Sequence, residues 1–374
     1  MRAAAAKPPP IQYGAGGPRP WCAAPARPGP AIMHALITDC TPPMTRPTPA
    51  SGALWATRLI SVGIPTFNRA ALLVRAAESV LAQTHTNLEL LISDNASTDE
   101  TQLRCRELCE RDPRVRYLRA PANGGPTANF NVLFAELQGD YAMVLSDDDW
   151  LDEGYLEACL SELESRPELA LVCGRGRYWR DGQEVRRGAD IQLVQPSPEE
   201  RITTYIRQVD ENGVFYGLMR REVMRRATPM PNVMGNDWLV SAAVAMQGGI
   251  ATIEDTAINR ELGGTSADFP RLARTLGLPS WQARVPHLVI AWQVINDILR
   301  RGEVYRELPM PARARLALRA GWAAISWRSL AWHLTMPTFQ AAEQHRSTRW
   351  MGSVYGRVTR MLGAGRTDEP PRGG

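Results

Sequence analysis

From about residue 59 the chain alternates short apolar runs with helical stretches, and several of the runs end on a polar cluster. Residues 59–64 read as a strand and 70–83 as the helix after it; 88–93 form a second strand, with a helix following Ser97, Thr98 and Asp99. A third strand covers 115–119 and its helix 126–137, and a fourth strand, 141–146, runs straight into Asp147, Asp148 and Asp149. Strand–helix alternation of this kind builds a mostly parallel sheet with helices on both faces. Ligands of such sheets bind beyond the carboxyl ends of the strands. Segments 65–69, 94–98 and 147–150 therefore share one rim although they are far apart in sequence.

The acidic run is the strongest local signal. Three adjacent carboxylates at a strand end repel one another and lose solvation, so the arrangement suits a hard divalent cation bridging carboxylate and diphosphate oxygens. The same run also suits a solvated turn at a helix N-terminus, and the residues alone leave both readings open.

Composition narrows the classes. In 374 residues the net charge is +4, too weak a bias to point to nucleic acid, and Lys7 is the only lysine. Six scattered cysteines show no paired spacing of a zinc site and read as reduced thiols of a cytoplasmic protein. No run of about 18 apolar residues suggests a spanning helix, and the N-terminus lacks the pattern of a secretory signal.

Three segments follow from these patterns. Residues 1–55, rich in Pro, Ala and Gly, are expected to be a disordered tail, residues 56–269 the sheet domain, and residues 270–374 a helical region. After a fifth strand at 169–173, segment 178–187 with its Asp181-Gly182 reads as a hairpin or loop. Segment 213–220 reads as a strand, and a helix carries Asn236, Asp237 and Trp238.

The ordered motifs Pro65-Thr66-Phe67-Asn68-Arg69, Ser93-Asp94-Asn95-Ala96-Ser97 and Ser146-Asp147-Asp148-Asp149-Trp150 resemble the family 2 inverting glycosyltransferases of the GT-A fold. The resemblance is clear from 59 to about 175 and weaker to about 266. It implies sugar transfer from a nucleotide-diphosphate donor to a hydroxyl of a saccharide or lipid-linked acceptor, in polysaccharide or cell-envelope synthesis. Pro65, Thr66, Asn68 and Arg69 would line the nucleotide pocket, and Asp94 would contact the donor base. Asp148 matches the metal-ligating acid for Mn or Mg, Asp147 sits near the ribose or metal, and Asp149 supports them. Asn123 and Gly124 match a donor-side segment, with Gly125, Asn129 and Asn131 beside it. Asp237 matches the catalytic base, and Arg260 opens the loop that closes over the diphosphate.

Departures from the family pattern are Ser146 in place of the first acid, Asn95 and Asn236 in place of acids, and Leu262 where relatives place a metal-binding histidine. They keep a catalytically inactive carbohydrate-binding relative as the alternative. A sugar-nucleotide nucleotidyltransferase is disfavoured because 65–69 contains no glycine. Beyond residue 300 the chain is rich in Arg and Trp, and Leu318, Trp322, Ile325, Ser329 and Trp332 form one helix stripe bordered by Arg315, Arg319 and Arg328. The stripe fits a helix lying peripherally at the inner face of a membrane. It fits better a helix packed on the catalytic domain.

Overall fold

The computed structural model describes residues 37–40, 57–209, 212–262 and 269–325. In chain order the strands are β1 (Ile37–Cys40), β2 (Ile60–Thr66), β3 (Leu88–Asp94), β4 (Val115–Arg119), β5 (Tyr141–Val144), β6 (Trp150–Leu151), β7 (Leu169–Arg180), β8 (Gln183–Arg187), β9 (Gln192–Leu193), β10 (Leu218–Arg220) and β11 (Gly249–Glu261). The helices are α1 (Ala70–Leu81), α2 (Thr101–Arg111), α3 (Pro126–Glu136), α4 (Tyr155–Ser165), α5 (Pro198–Gln208), α6 (Arg221–Ala227), α7 (Asn236–Gln247), α8 (Phe269–Thr275), α9 (Pro286–Asn296) and α10 (Met310–Ile325).

One 11-stranded sheet runs in the order β1-β4-β3-β2-β5-β10-β7-β11-β6, with β8 beside β7 and β9 beside β11. Its parallel centre is β4-β3-β2-β5, and β7 also pairs parallel with β11. All seven residues of β3 are buried, as a central strand covered by helices on both faces requires. Antiparallel β10 joins the two parallel sets. The sheet is thus mixed and mostly parallel, the α/β architecture expected.

Close backbone approach fixes the start of β5. A Cβ on Gly139 would lie 2.6 Å from the Leu59 carbonyl oxygen and 2.8 Å from the Ser61 amide, and neither backbone atom can yield. Gly139→Ala is expected to destabilise the fold by ~1–3 kcal/mol, read from the urea midpoint at constant m-value.

Several expectations change in detail. Within the tail expected to be disordered, Ile37–Cys40 is a strand antiparallel to β4. β4 would otherwise present an unpaired edge. The remainder of 1–55 lies outside the described residues. Segment 213–220 is a 3-10 turn (Gly213–Tyr216) before a three-residue strand, because β10 only bridges β5 and β7. Segment 178–187 is indeed a hairpin, the end of β7 turning into β8 through Asp181 and Gly182, both at positive φ.

The helices after 269 belong to the same compact unit as the sheet. α10 packs on α9 and α5 through its small residues, Ala317, Ala320, Gly321, Ala323 and Ala324, with Leu316. A Cβ on Gly321 would meet Ile295 of α9 at 2.5 Å. The stripe expected to face the core points the other way: Leu318 is 68% exposed and Trp322 78% exposed. Alanine and glycine allow the tighter helix contact, so the larger apolar row is left outside. Ser329, Trp332 and Arg328 lie outside the described residues.

Candidate active site

Strand ends β2, β3 and β5 deliver the three motifs to one rim, as parallel pairing requires: Thr66 is opposite Asp94, and Gly63 is opposite Val144. Beyond β2 the chain turns through Asn68 at φ 54°, a left-handed conformation that Asn tolerates. The turn is held from the neighbouring strand end. Asn68 donates its backbone N–H to Ser97 Oγ (2.9 Å), and the Thr98 N–H donates to Asn68 Oδ1 (2.7 Å). Arg69, next in sequence, precedes α1 and sends its guanidinium across the rim.

Each acid of the triplet has a different partner. Asp147 accepts from the Thr66 hydroxyl (2.8 Å) and from Arg69 Nη1 (3.0 Å). Asp148 accepts from the same Nη1 (2.8 Å) and from Ser146 Oγ (2.5 Å). Asp149 is buried and turned away, paired with Arg260 (3.2 Å). Burial pushes Asp147 up to about 6, against the opposing pull of Arg69, and pushes Asp149 up to about 7 against Arg260. The run is therefore two carboxylates facing the rim and one holding the floor.

Asp94, expected to touch a donor base, is fully buried. Its Oδ1 takes the Ser97 N–H (2.8 Å), and its Oδ2 takes the Tyr117 hydroxyl (2.8 Å) and an ion pair with Arg119 (3.3 Å). A carboxylate at the end of an interior strand is enclosed by the next turn, so Asp94 shapes the rim rather than lining it. Asn95 is the group that links outward: it donates to Asn123 Oδ1 (2.9 Å) and accepts the Gly124 N–H (2.9 Å). Gly125 at φ 84° then opens α3. Asn129 ties Ser93 and the Thr66 carbonyl, and Asn131 holds both backbone groups of Met230. Pro65 lies within β2 itself, paired with Ser93.

Asp237 opens α7 behind Gly235, which is left-handed at φ 75° and has no room for a side chain against Ile290. The Asp237 carboxylate accepts from Asn212 Nδ2 (3.1 Å), and Asn212 is itself held by the Tyr205 and Ser241 hydroxyls. Asn236 donates to Thr127 and caps the Asp237 N–H. Asp237 is partly exposed, and desolvation raises its pKa despite the Asn212 contact.

Arg75 and Tyr216, which the motifs did not reveal, complete the site together with Arg260. Arg75 on α1 donates to the Asp148 carbonyl (2.8 Å) and stacks 4.0 Å from the Trp150 ring centroid. Arg260 donates to the Tyr178 hydroxyl (3.1 Å) and lies 4.9 Å from the Tyr216 ring. Burial raises the pKa of the Tyr216 hydroxyl, opposed by Arg260 and reinforced by Asp149, Asp148 and Asp237. The only sequence signal for Tyr216 was its place beside Gly217, whose missing side chain lets the turn close on Leu171.

A divalent ion fits the donor set in part. One nitrogen of Arg69 lies within 3.0 Å of both Asp147 and Asp148, so the two carboxylates converge on a single cation position. Among the described residues no three His, Cys, Asp or Glu side chains converge as a metal cage. Two carboxylates suit Mg or Mn, which completes its shell with substrate phosphate and water. Leu262 ends the described part of the loop expected to close over the diphosphate, and 263–268 lie outside it.

The mixed, mostly parallel sheet flanked by helices, with paired acids at one rim, has the architecture of the GT-A fold. Residues 61–227 match the model of glycosyl transferase family 2. WcaA of Escherichia coli, provisionally assigned as a glycosyl transferase of colanic acid biosynthesis, is 32% identical over 157 residues, covering 42% of this chain and 56% of WcaA. Chondroitin synthase of Escherichia coli is 37% identical over 123 residues, 33% of this chain and 18% of the synthase. The chain thus spans about half of one relative and under a fifth of the other. The S. aureus TarS fragment 1–349, solved with UDP-GlcNAc, superposes with a TM-score of 0.52 at 15% identity, over 74% of this chain and 75% of TarS, and shares the fold.

Proposed function

We propose that the chain transfers a sugar, with inversion, from a nucleotide-diphosphate donor to a hydroxyl of a saccharide or lipid-linked acceptor in polysaccharide or cell-envelope biosynthesis. The observation that carries this reading is the convergence of Asp147 and Asp148 on one cation position at the rim of the parallel sheet. Asp237 takes the acceptor hydroxyl's proton as that oxygen forms its bond to the anomeric carbon and the bond to the diphosphate breaks. A carboxylate whose pKa is raised by burial is a stronger base than one in water. Asp147 and Asp148 hold Mn or Mg, which when bound stabilises charge on the departing diphosphate. Pro65, Thr66, Asn68, Arg69, Asn123 and Gly124 form the donor wall; Asp94 supports it from below, and Arg260 stands at the phosphate side. Names of relatives such as chondroitin synthase and hyaluronan synthase support a polysaccharide product.

The test is a thermal-shift screen of UDP, GDP, CDP and dTDP, each with and without manganese. One diphosphate at 100 times its Kd should stabilise the fold by about 2.7 kcal/mol, and more strongly with the metal present. Failure of every nucleotide to stabilise folded protein would sink the donor site. UDP is the natural first probe, since the TarS fragment was solved with UDP-GlcNAc.

The acceptor side adds a membrane expectation. No helix among the described residues is long and apolar enough to span a bilayer. Trp292 is 61% exposed on α9, with Leu288 one turn earlier, and Leu318 and Trp322 project from the adjoining α10. Arg315 and Arg319 flank the α10 row, sharing Glu199 at 3.6 and 3.4 Å. Exposed Trp with Arg nearby suits the headgroup level of an anionic bilayer. Replacing both Trp292 and Trp322 by Ser should weaken binding to phosphatidylglycerol vesicles about tenfold or more in co-sedimentation. Unchanged binding would remove this face from the membrane contact.

A further inference from the structure

We infer that Arg69 occupies the divalent-cation position of the acidic pair while the donor is absent, so that metal binds only by displacing its guanidinium. The inference rests on the reading of Asp147 and Asp148 as metal ligands and adds what guards them. Its basis is that one atom, Nη1, contacts both carboxylates, at 3.0 and 2.8 Å. A cation bridging the same oxygens would stand where that nitrogen stands, and the two exclude each other sterically and by charge.

Three further observations make the exchange workable. The carboxylates do not depend on Arg69 for their position: Thr66 Oγ1 holds Asp147, and Ser146 Oγ holds Asp148. Removing the guanidinium therefore leaves two aimed ligands. Besides the acid pair, Arg69 is tied through its backbone, its carbonyl accepting the Leu73 N–H at the start of α1, and its side chain is 29% exposed, against 7% for Asp147 and 15% for Asp148. It has a route outward. The other cations nearby are committed elsewhere, Arg260 to Asp149 and Arg75 to the Asp148 carbonyl and the Trp150 face.

Charge balance gives the exchange a direction. Arg69 brings one positive charge to two carboxylates, whereas a divalent ion matches both. The divalent ion must shed water to enter, and in the donor-free protein Arg69 opposes that entry. An arriving diphosphate supplies a new partner for the guanidinium, whose fork suits phosphate oxygens, and further ligands for the metal. Metal and donor then bind with positive coupling through one side chain. An Arg held only as a structural tie would show no such coupling.

The test is manganese affinity without any nucleotide, measured by the electron paramagnetic resonance signal of free Mn(II), for wild type, Arg69→Met and Arg69→Lys. Met keeps the apolar length and removes the charge. We expect Arg69→Met to bind manganese about 10- to 100-fold more tightly than wild type, with Arg69→Lys between them. Asp148→Asn in the Arg69→Met background should abolish the gain, which places the ion at this site. Should Arg69→Met fail to fold, the Arg69→Lys series carries the comparison. Equal or weaker manganese binding by the folded variants overturns the exchange. That failure is distinct from failure of the donor site, which the nucleotide stabilisation screen judges independently. Absence of manganese binding in every variant overturns the exchange together with the metal ligands, and leaves the nucleotide result standing on its own.

Discussion

Asp237→Asn should lower turnover by about 10²- to 10⁴-fold while leaving stabilisation by nucleotide diphosphate intact. The substitution keeps side-chain shape and an oxygen that can still accept from Asn212 Nδ2, so the Tyr205–Asn212–Ser241 cluster need not rearrange. What disappears is the capacity to take a proton. Radiolabelled sugar transfer gives the rate, and the thermal shift with nucleotide gives the donor side. A carbohydrate-binding relative without catalysis would show the same behaviour in both proteins, with no transfer to lose. The pH profile supplies a second reading of the same group. Desolvation raises Asp237 above the usual carboxylate value, so the base form is lost as pH falls through that raised value. Turnover should therefore decline on the acid side at a pH above the ordinary carboxylate range, and the residual rate of Asp237→Asn should lack that limb.

How far the sequence reached can be argued from individual elements. β2, β3 and β4 were legible because interior parallel strands are apolar on both faces and end at polar turns, and β4 was bounded correctly at Val115–Arg119. β11 escaped, although at 13 residues it is the longest strand. Glu254 and Asp255 interrupt its apolar pattern at a bulge, where the pairing with β7 shifts register between Ile253 and Ala257. Strand periodicity read in a window cannot cross such a defect. The α10 stripe misled for a different reason. Apolar spacing identifies a helix face, but Ala and Gly on the opposite face made the closer packing contact, and their small size hid it.

The site divides in the same manner. Motif residues at strand ends were legible because topology alone brings Thr66, Asp94 and Asp147 to one rim. Side-chain direction was not. Asp94 reads as a rim acid but is enclosed by Tyr117, Arg119 and the 94–97 turn. Arg75, Asn212 and Tyr216 enter the site only through tertiary contacts, and none lies in a motif. Their positions depend on how α1, the 212–217 turn and β11 meet, which no local pattern encodes.

The pairing of Asp149 with Arg260 leads to the largest expected loss of stability. Arg260→Met should cost about 3–5 kcal/mol, because it strands a buried carboxylate. Asp149 is 3% exposed and Arg260 16%, so solvent screens the pair little. Arg260 is held further by the Tyr178 hydroxyl and the Tyr216 ring, which keeps the guanidinium in one geometry. Even beside Arg260, burial pushes Asp149 up to about 7, from 3.8 in the unfolded chain. Between those values the folded state holds the proton more tightly than the unfolded state, so stability falls as pH rises through the window. Without Arg260 the window extends upward. The deficit of Arg260→Met should therefore be greatest above neutral pH and shrink on acidification, read from urea midpoints across pH. The double variant Asp149→Asn with Arg260→Met removes both charges and should recover most of the loss, giving a coupling of opposite sign to the single effects. A double variant no more stable than Arg260→Met at alkaline pH would show that Arg260 acts through its packing on Tyr178 and Tyr216 instead. It would also free Asp149 from the role of floor beneath the two acids at the rim.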